Sequence, residues 1–386
     1  MKSIFKITRS NDWRYSFIPQ IFGTLYLWIY IFQISFSIIT IKLLFLSLTT
    51  SFGFAALGYI INEFFDQKDD FIAGKRNKLK TLSSQKLVLL IFGILIAAFL
   101  PWISLPTKSF TIWLIGIQIC LFILYAVPPF RLKNNFIFAP IIDSLYAYVL
   151  PLILSCYTFY LYNLQTEQPI FFLLVMTFLF FIAGYRNIIL HFITDFYTDQ
   201  KLGKKTLPQI RGIRSSLHFL IKLVYIEYCL IFFLLLLLFI FSNKNYLFKV
   251  SIPLVLLIQY FSYNKKSSIS VREFIKLPNT LYQFYFPFIC LLNLMFIDQL
   301  WVIWFPFHLI LLVPYFRFQP LINLWNRIHF KHYYYYIYHH YIQHIRMVLS
   351  WLLNYSIYFL FLLFRIDLKK KNISAITYIK KKIKKH

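Results

Sequence analysis

The sequence predicts an all-α fold, a polytopic bundle of transmembrane helices, and three observations predict it. The 386-residue chain is 60% hydrophobic and only 14% charged, where a soluble domain carries about 25% charged residues. Its apolar residues fall into runs of roughly 17 to 25, the length that crosses a bilayer as helix. The runs are continuous rather than alternating. That favours helices over a closed barrel, the other structure that satisfies its own backbone within lipid.

Spans are expected near 15–36, 43–64, 86–104, 108–127, 136–157, 169–193, 214–241, 247–263, 280–297, 299–316 and 347–364. The connections alternate in basic content. The N-terminus and the loops near 66–86, 128–135, 199–222, 264–276 and 317–346 are rich in Lys and Arg, and those between them are poor. Basic loops stay on the cytoplasmic side, so an integral, multi-pass protein of a bacterial inner membrane is expected, with its basic face in the cytoplasm. The same rule accounts for the net charge of +27 without nucleic acid; membrane lipids are the expected surroundings. A span at 347–364 would carry the tail lysines Lys369, Lys370, Lys371, Lys380, Lys381, Lys382, Lys384 and Lys385 outward. That segment is therefore expected not to cross, its tail meeting anionic headgroups. The run Tyr333 to His344 reads as interfacial composition rather than a metal site. Cys120, Cys156, Cys229 and Cys290 lie in apolar runs with no metal or pairing spacing and read as buried thiols.

The chemistry lies in an internal repeat. Asn62-x3-Asp66-x3-Asp70-x3-Gly74-Lys75-Arg76 matches His191-x3-Asp195-x3-Asp199-x3-Gly203-Lys204-Lys205 at an offset of 129 (191 − 62). The chain has 13 acidic residues and 9 glycines, so agreement at one fixed spacing is not expected by chance. Residues four apart share a helical face, which stacks Asn62, Asp66 and Asp70 in one stripe and Asp195 and Asp199 in another, one turn beyond His191. Carboxylates at the end of a membrane helix are costly unless paired or metal-bound. Stacked oxygen donors suit Mg2+ completed by phosphate oxygens, and the basic pair after each glycine suits the phosphate itself. A solvated charge cluster explains one copy as well as chemistry does, but explains two matched copies poorly.

At these residues the chain resembles the UbiA-type membrane prenyltransferases. The first motif reads Asn62-Glu63-Phe64-Phe65-Asp66-Gln67-Lys68-Asp69-Asp70, with Glu63 where the family has Asp. The second reads Asp195-Phe196-Tyr197-Thr198-Asp199, followed by Gly203-Lys204-Lys205-Thr206. Tyr125-Ala126-Val127-Pro128-Pro129-Phe130-Arg131-Leu132-Lys133 is similar to a third family segment. The resemblance implies a nine-helix core over residues 1–300, a cavity open to the bilayer, a polyprenyl diphosphate donor and Mg2+. Residues 301–386 would be a C-terminal extension with one or two further hydrophobic segments and a basic tail.

On this reading Asp66, Asp70, Asp195 and Asp199 are catalytic, and with Asn62 they ligate the metal. Lys75, Arg131, Arg186 and Lys204 bind diphosphate. Asp143, a charge inside a span, and His191 are candidates for binding a lipophilic acceptor or serving as its base, and the acceptor's identity is open. Glu227 and Asp298 read as paired or interfacial. Two rivals remain. A divalent-cation or small-molecule transporter would place its site near the midplane on broken helices, and a CDP-alcohol phosphotransferase would need an Asp-Gly-x2-Ala-Arg string that the sequence lacks.

Overall fold

The computed structural model describes residues 17–75, 77–163, 170–241, 275, 278–279 and 281–312. Its elements are helical throughout. They are α1 (Phe17–Ile31), α2 (Ile38–Phe65), α3 (Gln67–Ile72), α4 (Ser84–Phe99), α5 (Ser109–Ala126), α6 (Phe138–Ser144), α7 (Leu150–Asn163), α8 (Ile170–Thr194), α9 (Phe196–Lys201), α10 (Leu207–Arg211), α11 (Ile213–Phe241), α12 (Phe286–Ile297) and α13 (Phe305–Leu312). A π-turn, Leu145–Val149, joins α6 to α7, and a second, Leu281–Tyr285, leads into α12. Among the described residues six helices are long and apolar enough to cross a membrane: Ile38–Phe65, Ser84–Ile103, Ser109–Ala126, Phe138–Tyr162, Ile170–Thr194 and Ile213–Leu234. The protein is an integral, multi-pass membrane protein. The span expected at 247–263, the segment 347–364, the Tyr/His run and the lysine tail lie outside the described residues.

The repeat seen in the motifs extends to whole elements. α2 ends at Phe65 and α8 at Thr194; α3 and α9 run from 67 to 72 and from 196 to 201; α4 and α11 begin at 84 and 213, each pair 129 apart. α2 packs along α4 as α8 packs along α11. Two halves with the same order of elements direct both aspartate motifs to equivalent helix ends.

Close packing between helices comes from small residues, because lipid gives apolar side chains no reason to prefer a helix over the bilayer. A Cβ at Gly53 on α2 would lie 2.3 Å from the Ala98 backbone nitrogen on α4. Beside it Thr50 Oγ1 donates to the Ala98 carbonyl at 2.7 Å, and Trp102 Nε1 donates to Thr50 Oγ1 at 3.0 Å. Gly53→Val is expected to force α2 and α4 apart, costing roughly 1–3 kcal/mol or more. Gly93→Val, with nothing within 4 Å, should be neutral. Equal thermal unfolding of the two variants in detergent would contradict the close approach.

The outer flanks of α4 and α5 present Val88, Leu89, Phe92, Ile112 and Trp113, as helices facing lipid do. Cys156 and Cys290 are buried, but Cys120 and Cys229 are exposed. An apolar run alone therefore did not mean burial, since in a membrane protein the outside of a helix is apolar too. Asp298 accepts the Leu300 and Phe36 amide N–H groups at 3.0 and 2.9 Å, a capping role that agrees with its reading as a paired residue. The stretch after α12 folds back onto α1. Trp304 Nε1 donates to the Tyr26 hydroxyl at 2.8 Å, and that hydroxyl meets His308 Nδ1 at 3.1 Å, all three residues being buried.

Candidate active site

Each aspartate motif begins at a break between a long helix and a short one. Asp66 closes α2 and opens α3 with φ −91° and ψ 0°; Asp195 does the same between α8 and α9 with φ −93° and ψ 11°. These values fall in the sparsely populated bridge region, where active-site residues are often found. The backbone bonding repeats as well. Asp66 N–H bonds the Asn62 carbonyl and Asp195 N–H the His191 carbonyl; Lys75 N–H bonds Asp70 and Lys204 N–H bonds Asp199. Each short helix ends at a glycine with left-handed φ, +69° at Gly74 and +64° at Gly203. Only glycine adopts that conformation freely, and it turns the following lysine back over the motif.

The lysines then cross. Lys75 Nζ lies 3.6 Å from Asp195 Oδ2, and Lys204 Nζ lies 3.7 Å from Asp69 Oδ2 and 3.6 Å from Asp199 Oδ1. The lysine of each copy thus reaches a carboxylate of the other, so the two motifs share one site at one end of the bundle. His191 Nε2 is 3.6 Å from Asp195 Oδ2 on the same helix face.

The 127–135 loop supplies two more cations. Arg131 has φ +39°, uncommon for a residue with a side chain. Its guanidinium donates to Asp66 Oδ1 at 2.8 Å, to Asp69 Oδ2 at 3.0 Å and to the Phe65 carbonyl at 3.2 Å. Lys133 donates to Asn62 Oδ1 at 2.7 Å and also pairs with Asp66. A parallel bridge between Asn135 and Lys205 ties this loop to the second motif. Burial alone would raise the Asp66 carboxyl, but Lys133 and Arg131 outweigh it and hold Asp66 below the ordinary carboxylate range. At Asp199 burial prevails, and the carboxyl is raised despite Lys204.

Behind this charged mouth lies a cavity of about 510 Å³. Asn62 and His191 line one end, and Ser47 and Ser51 the other. Asn62 and Ser47 are 15 residues apart on α2, a depth of about 22 Å at 1.5 Å per residue. Tyr59, Phe122, Tyr125, Tyr146 and Tyr148 form much of the wall. Asp143 lies in that wall, its Oδ1 accepting the Tyr146 hydroxyl at 2.6 Å.

Of the residues singled out in the sequence, Asn62, Asp66, Lys75, Arg131, His191, Asp195, Asp199 and Lys204 stand together at the mouth, and Asp143 lines the cavity behind it. Asp70 turns aside, its Oδ2 accepting the Asn77 side-chain amide at 2.9 Å. The neighbouring Asp69 is the one that meets Arg131 and Lys204. Glu63, at the departure from the family motif, accepts the Lys78 amide N–H at 3.1 Å.

Arg186 stands apart from the mouth. It is fully buried and paired with Glu227, and it also donates to Asn187 Oδ1, the Ile275 carbonyl and Asn279 Oδ1 at 2.9, 2.8 and 2.6 Å. Lys133 and Asp69 were not assigned roles from the sequence. The signal for Lys133 was its place two residues after Arg131 in the same family string.

Oxygen donors of this kind fit Mg2+. Among the described residues no three acidic, His or Cys side chains converge to hold a metal unaided. Mg2+ needs only one or two carboxylates when phosphate oxygens and water complete its shell, and donors divided between two helix ends suit that arrangement.

No curated protein matches the chain in sequence. Among solved structures it is similar to a UbiA homolog from Archaeoglobus fulgidus bound to GPP and Mg2+, at 19% identity and a TM-score of 0.52, over 76% of this chain and 99% of that one. It is also similar to a structure described under the biosynthesis of digeranylgeranylglyceryl phosphate synthase in membranes, at 14% identity and a TM-score of 0.51, over 76% and 98%. At such identities the likeness speaks for the fold. The model of the UbiA prenyltransferase family matches residues 21–279, a stretch holding both aspartate motifs and the Arg131 loop, and the chain belongs to that family.

Proposed function

We propose that the protein transfers a polyprenyl group from an allylic diphosphate to a lipophilic acceptor, with Mg2+ assistance. The observation that carries this reading is the crossed pairing of Lys75 with Asp195 and Lys204 with Asp69 at the mouth of an aromatic cavity. A diphosphate entering between the two motifs would meet Lys75, Lys204, Arg131 and Lys133 from both sides. Asn62, Asp66, Asp195 and Asp199 would hold Mg2+, joined by Asp70 once it leaves Asn77, and the metal's charge would offset that of the diphosphate and favour its departure. The lysines and the arginine would exchange their carboxylates for phosphate oxygens, positioned in advance to stabilise the charge that develops on the leaving group. The rings of Tyr59, Phe122, Tyr125 and Tyr146 would face the allylic cation and exclude water from it. The polyprenyl tail would lie along α2 toward Ser47.

The basic connections flanking both motifs support a site on the cytoplasmic side of a bacterial inner membrane. Catalysis is assigned to residues 1–300, with 301–386 as an extension. The crossed ion pairs at the end of the spans also weigh against a transporter, whose ions bind near the midplane. Purified protein given geranylgeranyl diphosphate and a lipid extract is expected to release diphosphate with Mg2+ and to stop when EDTA removes the metal. Proteoliposomes should carry no Mg2+ flux. Flux without diphosphate release would overturn the proposal.

A further inference from the structure

We propose that the acceptor is an uncharged lipid, and that Asp143 takes the proton the acceptor loses. This rests on the prenyl-transfer reading above and deepens it.

The cavity wall carries the argument. Past the motif end, where Asn62 and His191 stand, the acidic side chain among the described lining residues is Asp143. Every other polar group there is neutral: Gln118, Asn187, Asn279, Gln283 and the hydroxyls. An anionic head group placed in that chamber would face a carboxylate with no counter-charge beside it. Like charges repel strongly where the dielectric is low, and a buried anion without a partner costs more than the contacts would return. A neutral head finds hydrogen-bonding partners instead.

Those partners are held in a fixed orientation. The Arg186 guanidinium can only donate, so Asn187 and Asn279 must turn their carbonyl oxygens toward it, at 2.9 and 2.6 Å. Their amide nitrogens then face away. Asn279 Nδ2 donates to Asn187 Oδ1 at 3.0 Å, and Asn187 Nδ2 donates to the Tyr148 hydroxyl at 3.0 Å. Glu227 anchors the chain from behind, accepting from both Arg186 and Tyr282. Arg186 is thus a positioning residue: a charge kept out of the cavity that sets the polarity of the neutral groups lining it.

Asp143 stands where a departing proton would be released. Tyr125 packs edge-on against Tyr146 with ring centroids 5.2 Å apart, and Tyr146 packs in the same way against Phe122 at 5.1 Å. Tyr125 stands in the last turn of α5, just before the loop that carries Arg131, and Tyr146 donates to Asp143 Oδ1, so these rings reach from the mouth to Asp143. An allylic carbon held against them has the leaving group on one side and the carboxylate on the other.

In the reaction the carbon–oxygen bond of the allylic diphosphate breaks, and its electron pair leaves with diphosphate. A hydroxyl oxygen or an unsaturated carbon of the acceptor supplies the pair for the new bond. The proton from that oxygen or carbon passes to the Asp143 carboxylate, so charge and atoms balance with no further reactant.

The test uses the full chain, isotopically labelled geranylgeranyl diphosphate and a total lipid extract divided by anion exchange into neutral and anionic fractions. Labelled product, identified by mass spectrometry, is expected from the neutral fraction. Asp143→Asn should keep donor binding, measured with a non-reactive thio-analogue, within about twofold. Its product should fall by about 100-fold or more, the usual contribution of a general base, and Asp143→Glu should recover part of the loss. Product from the anionic fraction alone, no labelled lipid from either fraction despite donor binding, or Asp143→Asn retaining more than about a tenth of wild-type product would each overturn the proposal. Should Asp143→Asn fail to fold, Asp143→Glu and the wild-type fraction assay still decide it. Failure of the wild-type protein to bind the donor analogue at all would instead remove the transferase reading beneath it.

Discussion

Asp195→Ala is expected to abolish diphosphate release from an allylic donor while the protein still inserts and folds. Asp195 sits at the break between α8 and α9, where Lys75 of the other motif copy reaches it at 3.6 Å. Removing it takes away a proposed metal ligand and also unpairs Lys75, so the two halves lose a contact as well as a donor. Loss of metal-centred charge stabilisation is worth several kcal/mol, and at 1.36 kcal/mol per decade the expected fall in rate is about 10³-fold or more. Asp66→Ala should match it, because the repeat makes the two residues equivalent. Diphosphate release from labelled donor in detergent measures both, and full activity in the two variants would refute the assigned roles. A large loss in one copy with none in the other would mean that the repeat is structural in one half.

The second large effect is on stability. Arg186→Met should leave Glu227 without its counter-charge inside the bundle, where both residues are fully buried. Breaking a buried pair by removing one partner costs about 3–5 kcal/mol, because the remaining charge has no compensation. It would also release Asn187, Asn279 and the Ile275 carbonyl from their donor. Replacing both charges, as in Arg186→Met with Glu227→Leu, should recover much of the loss, since a buried ion pair is often no more stable than an apolar pair of similar size. Thermal unfolding in detergent compares them. If Arg186→Met melts like the wild type but binds donor poorly, Arg186 contacts diphosphate, as the family resemblance implies, and its ion pair with Glu227 is secondary.

The motifs were legible because their chemistry is scarce. Acidic residues are few and avoid membrane helices, so Asp66 and Asp195 stood out, and the offset of 129 between them reappears in the helix ends themselves. The stripe drawn through Asn62, Asp66 and Asp70 assumed an unbroken helix. The chain breaks at Asp66, and beyond the break the phase changes, so Asp69 rather than Asp70 meets Arg131 and Lys204. Likewise Arg186 lies only nine residues before Asp195, yet its partners, Glu227, Ile275 and Asn279, come from later parts of the chain. Spacing along one helix says which residues share a face and says nothing about which neighbouring helix that face meets.

The sequence by itself determined that the chain is helical and membrane-embedded, that it carries a duplicated acidic motif, and which family that motif resembles. The first two follow from local composition and periodicity, and the third from the likeness of its motif strings to those of a known family. Only the tertiary structure decided that Lys75 and Lys204 cross to the opposite copy, that Lys133 joins Arg131 over Asp66, and that Asp143 faces the chamber while Arg186 is withdrawn from it. Those outcomes depend on how helices far apart in the chain are rotated against one another, and that rotation is set by close contacts such as Gly53 against Ala98, whose partners no spacing within a single helix can name.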